Sequence, residues 1–348
     1  MNNIKYIFYG TGPLAEAAIY TLYHSGMIPM AIVTKPDSKV GRDHTLTAPM
    51  IKTWALSKGI RVFQPTSLKL DTSDKVSISA EDKDETKRLY NFIKEKDIDI
   101  AIVASYGKIM PEAILHMPKH GTINIHPSML PLYRGPSPIE SQLLDGLDHI
   151  GLSIMELDRD MDHGPIYVQT ILPLISDKEY SSEILERMSG RAGAELISQI
   201  IMHIIDGVLR PIDQDHNKAS YCKYVSKDQG ELLTLTKLLK NINIKDSSKE
   251  YKTELNTINI QDKEIIIDND IAKELSLKWR ALRPWPGVFF FYYHKDRDTR
   301  VTINKINWQE LMIGIMHNDM SISKIIIELT PEGKRSMDWD SFKRGYIH

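Results

Sequence analysis

Short apolar runs alternate with longer amphipathic stretches along the first 205 residues, and that alternation leaves few folds open. Residues 4–9 form an apolar run closed by Gly10, Thr11, Gly12 and Pro13. It reads as a buried strand turning into a helix, with Pro13 in the first helical turn. Helical spacing continues over 14–24 and stops near Gly26. Further strands are expected at 29–34, 62–65, 98–105, 122–126, 151–157 and 166–172, and helices at 50–58, 84–96, 138–145 and 181–208. Strands separated by helices imply an α/β fold, a Rossmann-like parallel sheet covered on both faces. In such sheets the ligand crevice lies outside the carboxyl ends of the strands.

The pattern changes after residues 206–220, which are rich in Asp, Gly, Pro, Asn and Gln and read as a linker. Beyond it, apolar runs at 288–293, 300–306, 311–316 and 324–329 are separated by turns with no obvious helix between them, which suggests a small antiparallel barrel. A first domain over 1–205 and a second over 221–348 are therefore expected. Residues 70–83 and 233–265 look like extra surface material of marginal structure.

With 348 residues the chain is long enough for two cores. Its 42% hydrophobic and 26% charged residues are ordinary for a globular protein. A net charge of −2 does not advertise nucleic acid, although the second part is mildly basic, which is compatible with RNA contact. The single cysteine, Cys222, excludes an intramolecular disulfide or a cysteine metal cluster and suits a reducing cytoplasm. No apolar run reaches the length of a membrane span, so no membrane partner is expected.

Gly10, Gly12 and Ala15 match a loose dinucleotide fingerprint, but the second strand ends in Thr34 and Lys35 instead of the acidic residue a ribose would need. A tight strand-to-helix turn accounts for those glycines as well. Asn124, His126 and Asp162 are the sharper constellation. Asn124 and His126 are two apart on an expected strand, so both face one side. An amide or a charged imidazole can donate to the oxyanion of an acyl transfer. A histidine near neutrality can shuttle the proton, and a carboxylate can orient it and raise its pKa. The bland alternative is a hydrogen-bonded core histidine beside a turn-forming asparagine. The Pro/Gly-rich loop over 127–138 favours the functional reading.

Asn124, Ile125, His126, Pro127, Ser128, Leu130 and Pro131, together with Asp162 and Gly164, resemble the signature of the 10-formyltetrahydrofolate-dependent formyltransferases. Supporting stretches at 7–11, 35–42, 63–68, 103–111, 221–230, 280–287 and 331–335 follow in the same order. The resemblance implies an enzyme that transfers a formyl group from 10-formyltetrahydrofolate, a cosubstrate, to the α-amine of methionine on initiator tRNA, without a metal. Asn124, His126 and Asp162 would be catalytic. The donor would be held by Ser105, Tyr106, Gly107, Ile109, Ser128, Leu130, Pro131 and Gly164, with 138–146 alongside. Lys35, Arg42 and Arg134 would contact tRNA, Arg42 reading the first base pair, and a C-terminal OB-like barrel would grip the acceptor arm. A cytoplasmic monomer is expected. The chain departs from the pattern at Leu132 and at His44 and Thr45, where the family carries basic residues. The rival readings are a nucleotide-sugar N-formyltransferase with the same triad, a non-catalytic RNA- or folate-binding relative, and a nicotinamide oxidoreductase.

Overall fold

The computed structural model describes residues 4–40, 45–70, 80–175, 178–243, 251–253, 256–258, 265–294, 297–317 and 320–346. Contacts divide the chain into two compact units. The first comprises Met1–Ile139, His149–Pro173 and Glu183–Tyr224; the second comprises Glu140–Asp148, Leu174–Ser182 and Val225–His348.

Up to residue 205 the elements are β1 (Tyr6–Gly10), α1 (Pro13–His24), β2 (Ala31–Val33), β3 (Ser38–Val40), β4 (Thr45–Thr47), α2 (Met50–Ser57), β5 (Arg61–Phe63), α3 (Ala80–Lys96), β6 (Ile100–Ala104), α4 (Glu112–Leu115), β7 (Thr122–His126), α5 (Pro138–Leu144), β8 (His149–Glu156), β9 (Ile166–Pro173) and α6 (Ser182–Ile205). Seven strands form one sheet in the order β5-β2-β1-β6-β7-β8-β9. The first five of that order run parallel. The sheet is not parallel throughout, as the alternation suggested: β8 is antiparallel to β7, and β9 to β8. Residues 157–165 join β8 to β9, and so short a connection cannot make the crossover that parallel neighbours need.

β1, β6 and β7 are buried along their whole length because both sheet faces are covered. On one face Tyr6, Phe8, Ile102 and Ile125 meet apolar residues of α1, α2 and α6. On the other, Ile7, Tyr9 and Val103 meet Leu89, Phe92 and Ile93 of α3. A side chain at Gly190 would begin 2.1 Å from the Leu14 carbonyl oxygen, so glycine there lets α6 lie close against α1. Chain order reverses between β1 and β6, where Thr11 N–H donates to the Ser105 carbonyl at 3.2 Å.

Residues 206–220 are not a free linker. Ile212 exchanges two backbone hydrogen bonds of 2.8 Å with Ile166, and Gln214 is buried. The first unit accordingly runs on to Tyr224.

The second unit contains α7 (Leu233–Asn243), β10 (Tyr251–Thr253), β11 (Asn256–Ile258), β12 (Ile266–Ile267), α8 (Asn269–Ala281), β13 (Val288–His294), β14 (Arg297–Ile306), α9 (Trp308–His317), β15 (Met320–Ser321), α10 (Ile322–Ile325), β16 (Ile326–Pro331) and α11 (Trp339–Tyr346). Its main sheet among the described residues is antiparallel, in the order β13-β14-β16. Two expectations change here. Residues 311–316 lie in α9, with Leu311 and Ile315 one helical turn apart against the core. Residues 233–243 are helix α7, whose Leu235, Leu238 and Leu239 are core residues and no surface insertion. Residues 71–79 and the larger part of 244–264 lie outside the described residues.

Candidate active site

Asn124 and His126 lie on β7, both buried, at 8% and 4% exposure. Their i, i+2 spacing on a strand puts both side chains on one face of the sheet. The two ring nitrogens of His126 have different neighbours. Nε2 donates to the Tyr133 carbonyl at 3.1 Å, and Nδ1 faces Asp162 Oδ1 at 3.5 Å. The second distance is long for a hydrogen bond and short for a charge contact. The other Asp162 oxygen, Oδ2, accepts the Gly135 N–H at 2.8 Å. The carboxylate is thus fixed on one side and open toward the imidazole on the other.

Asp162 reaches this position against the direction of its strand. β8 runs antiparallel to β7, so Glu156 lies level with Ile123 while Ser153 lies level with His126. The loop over 157–165 must therefore return about 10 Å along the sheet, at roughly 3.3 Å per residue, to bring Asp162 to the histidine. At Gly164 this return passes so close to Glu156 that a Cβ would sit 2.0 Å from the Glu156 carbonyl oxygen. Asp162 has φ 49° and Tyr133 φ 57°, left-handed values that cost a non-glycine residue about 1–3 kcal/mol and persist only where surroundings enforce them.

The loop after β7 is held by side chains on β8 and β9. Ser153 Oγ donates to the Ser128 carbonyl at 2.6 Å and accepts the Leu130 N–H at 3.2 Å. Gln169 Nε2 donates to Ser153 Oγ at 2.8 Å and to the Leu130 carbonyl at 2.9 Å. Ser128 Oγ is turned inward, donating to the Leu132 carbonyl at 2.6 Å. Ser128 and Leu130 are buried, so their side chains shape the loop, while Pro131 offers its carbonyl to the Ser220 N–H at 3.2 Å.

A second group of expected residues lies at the switch between β1 and β6. Ser105 and Gly107 have φ 48° and 67°, which turns the backbone sharply out of β6. Tyr106 is buried edge-on against Tyr9 at 5.5 Å, and its hydroxyl has no hydrogen-bond partner among the described residues. Burial pushes that phenol's pKa well up, so it stays protonated. Ile109 is 81% exposed. Lys35 receives two anchors: its N–H donates to Thr11 Oγ1 at 3.1 Å, and its carbonyl accepts from Gln64 Nε2 at 2.8 Å. Its ammonium reaches over Gly107, where a Cβ would lie 2.9 Å from Nζ. Residues 140–146 of the segment expected beside the donor belong to the second unit, where burial raises the Glu140 carboxyl.

Arg134 is a correction. It is 1% exposed, and its guanidinium donates to Gln214 Oε1 at 3.1 and 2.6 Å, to His216 Nδ1 at 2.9 Å and to the Tyr221 hydroxyl at 3.4 Å. A guanidinium so enclosed has no face left for a phosphate. Arg42 and His44 lie outside the described residues. Thr45 begins β4, an exposed strand, and Leu132 is 42% exposed. Among the described residues no group of three or more His, Cys, Asp or Glu is placed to hold a metal ion. Ser153, Gln169, Gln214 and Ser220 escaped the sequence reading because isolated Ser and Gln residues carry no periodic or spacing signal.

A model of the formyl transferase family matches residues 3–201. The chain belongs to the formyl transferase family. This formyl transferase is 30% identical over 356 aligned positions to the methionyl-tRNA formyltransferase of Dictyoglomus thermophilum, covering 99% of this chain and 97% of that one. It is 37% identical over 227 positions to the methionyl-tRNA formyltransferase of Herpetosiphon aurantiacus, covering 65% of this chain and 68% of that one. Among solved structures, a 4-N formyltransferase from Francisella tularensis aligns with a TM-score of 0.51 at 16% identity, over 88% of this chain and 100% of that one. That likeness is one of fold.

Proposed function

We propose that this formyl transferase moves the formyl group of 10-formyltetrahydrofolate onto the α-amine of methionine carried by initiator tRNA. The acceptor follows from relatives named methionyl-tRNA formyltransferase that match the chain over nearly its whole length. The observation that carries the chemistry is the His126 ring, with Nε2 committed to a carbonyl and Nδ1 facing the Asp162 carboxylate.

The amine nitrogen attacks the formyl carbon, a C–N bond forms, and the carbonyl electrons move onto oxygen. Asn124 donates to that oxyanion. The amine proton passes to the His126–Asp162 pair, and the pair returns a proton to N10 of the folate as the old C–N bond breaks. The products are N-formylmethionyl-tRNA and tetrahydrofolate. The donor lies along Ser105, Tyr106, Gly107 and Ile109, where positive φ values at Ser105 and Gly107 turn the backbone and the Tyr106 hydroxyl lacks a partner among the described residues. On the other side it meets the loop of Ser128, Leu130 and Pro131 and the turn at Gly164. Lys35 and Arg42 meet the acceptor end of the tRNA, Arg42 at the first base pair. The C-terminal unit, read as OB-like, meets the acceptor arm through phosphate contacts. The enzyme acts as a monomer in the cytoplasm, where its acceptor is made.

The test is a formyl-transfer assay with 10-formyltetrahydrofolate and two acceptors in parallel, methionyl initiator tRNA and a panel of nucleotide-linked amino sugars. Formylation of the tRNA alone is expected. Formylation of a sugar alone would keep the triad and overturn the acceptor. An Arg42→Ala variant is expected to lose discrimination between initiator and elongator methionyl-tRNA; unchanged discrimination would remove that role.

A further inference from the structure

Gln214 sits outside the motif that carries the triad, in a stretch whose composition marks it as linker, yet it is 6% exposed and all four of its side-chain hydrogen-bonding positions are used. Nε2 donates to the carbonyls of Asp162 at 3.0 Å and Gly164 at 2.7 Å. Oε1 accepts from Nε and Nη2 of Arg134. One amide therefore ties the Asp162 turn to the segment over 133–135, and that segment holds the other half of the site. The Tyr133 carbonyl orients His126, and the Gly135 N–H holds Asp162 Oδ2.

The arrangement is braced from outside. His216 accepts from Arg134 Nη2 at 2.9 Å and stacks on His163 with ring centroids 3.9 Å apart and planes 4° from parallel. His163 Nδ1 in turn donates to Asp158 Oδ2 at 2.6 Å, across the start of the same loop. Tyr133 N–H donates to Ser220 Oγ at 2.9 Å, and Arg134 N–H to the Ser220 carbonyl at 2.9 Å.

We infer that Gln214 is a positioning residue for the reaction: through the Asp162 and Gly164 carbonyls it holds the returning loop, and with it the Asp162 carboxylate, at its distance from His126. The loop has to run back along the sheet and through a left-handed residue, which no element of regular structure enforces. Two carbonyls anchored to one buried amide, itself anchored to a buried guanidinium, supply that enforcement. The role rests on the proposed formyl transfer, in which the His126–Asp162 contact carries the proton.

The experiment uses the full chain with Gln214→Met, which keeps the length and removes every hydrogen bond, and Gln214→Glu, which keeps an acceptor for Arg134 and removes both donors. A misplaced carboxylate is expected to lower kcat by about 10- to 100-fold, with KM for both substrates within about twofold of wild type. Nitrogen-15 histidine spectra of Gln214→Met should show the His126 ring resonances displaced, because the carboxylate that faces Nδ1 has moved away. In an Asp162→Asn background, Gln214→Glu should cost nothing further, since the two act through one group. Wild-type kcat with unmoved His126 ring resonances, or an additive loss in the Asp162→Asn background, overturns the assignment. Where Gln214→Met does not fold, Gln214→Glu and the double variant decide it. The histidine spectrum needs neither substrate, so a wild-type chain that formylates no tRNA would overturn the proposed function while the role of Gln214 is still decided.

Discussion

Which nitrogen of His126 moves a proton is set by a backbone carbonyl. With Nε2 donating to Tyr133, the exchangeable position is Nδ1, the atom that faces Asp162. Replacement by alanine removes the proton carrier. His126→Ala is expected to lower turnover by about two to four orders of magnitude while far- and near-ultraviolet circular dichroism stay those of the wild type. Near wild-type turnover in a folded variant would take His126 out of the mechanism. The residue types of the triad were legible in the sequence because Asn124 and His126 share a strand face and Asp162 follows in a glycine turn. Arg134 was misread because an arginine in a loop looks solvated, and only the packing of 214–221 over it reveals that it is enclosed.

At the level of elements, the β8–β9 connection has little room to vary at Gly164. Gly164→Ala would drive a methyl group into the Glu156 carbonyl and push the loop off the sheet. Forced overpacking of this kind costs about 1–3 kcal/mol, to be read as a lowered urea midpoint with a matching loss of kcat. An unchanged midpoint would mean that the loop yields. In the second unit, α7 was mistaken for an insertion because its Lys and Asn content outweighs its leucines when counted by composition. Its leucines at 235, 238 and 239 nevertheless keep helical spacing. Leu239 is fully buried, so Leu239→Ala should cost about 2–5 kcal/mol in chemical denaturation; a cost below ~0.5 kcal/mol, the range of surface substitutions, would return the segment to the surface. Residues 311–316 were read as a strand because a short apolar run does not distinguish a buried helix turn from a strand.

Across the whole molecule, two substrates of opposite physical character meet one chain. A tRNA acceptor held through phosphates should have a KM that rises at least about tenfold between ~50 and ~200 mM salt, whereas the KM of the folate should change by less than about twofold. Parallel salt dependence of the two would argue against phosphate contacts as the source of acceptor binding. The parallel core of the sheet and its order of elements were readable from the alternation of apolar runs. The reversal at β8 was not, since strand direction depends on the length and path of connections and leaves no mark in periodicity. The burial of Gln214 has a practical consequence for where the catalytic unit ends. The family match stops at residue 201, so a fragment cut there would carry every signature residue and discard Gln214, His216, Ser220 and Tyr221. The first unit runs on to Tyr224 and keeps the Gln214 contacts to Asp162 and Gly164, so a chain ending at 201 is expected to lose turnover with all three residues of the triad intact.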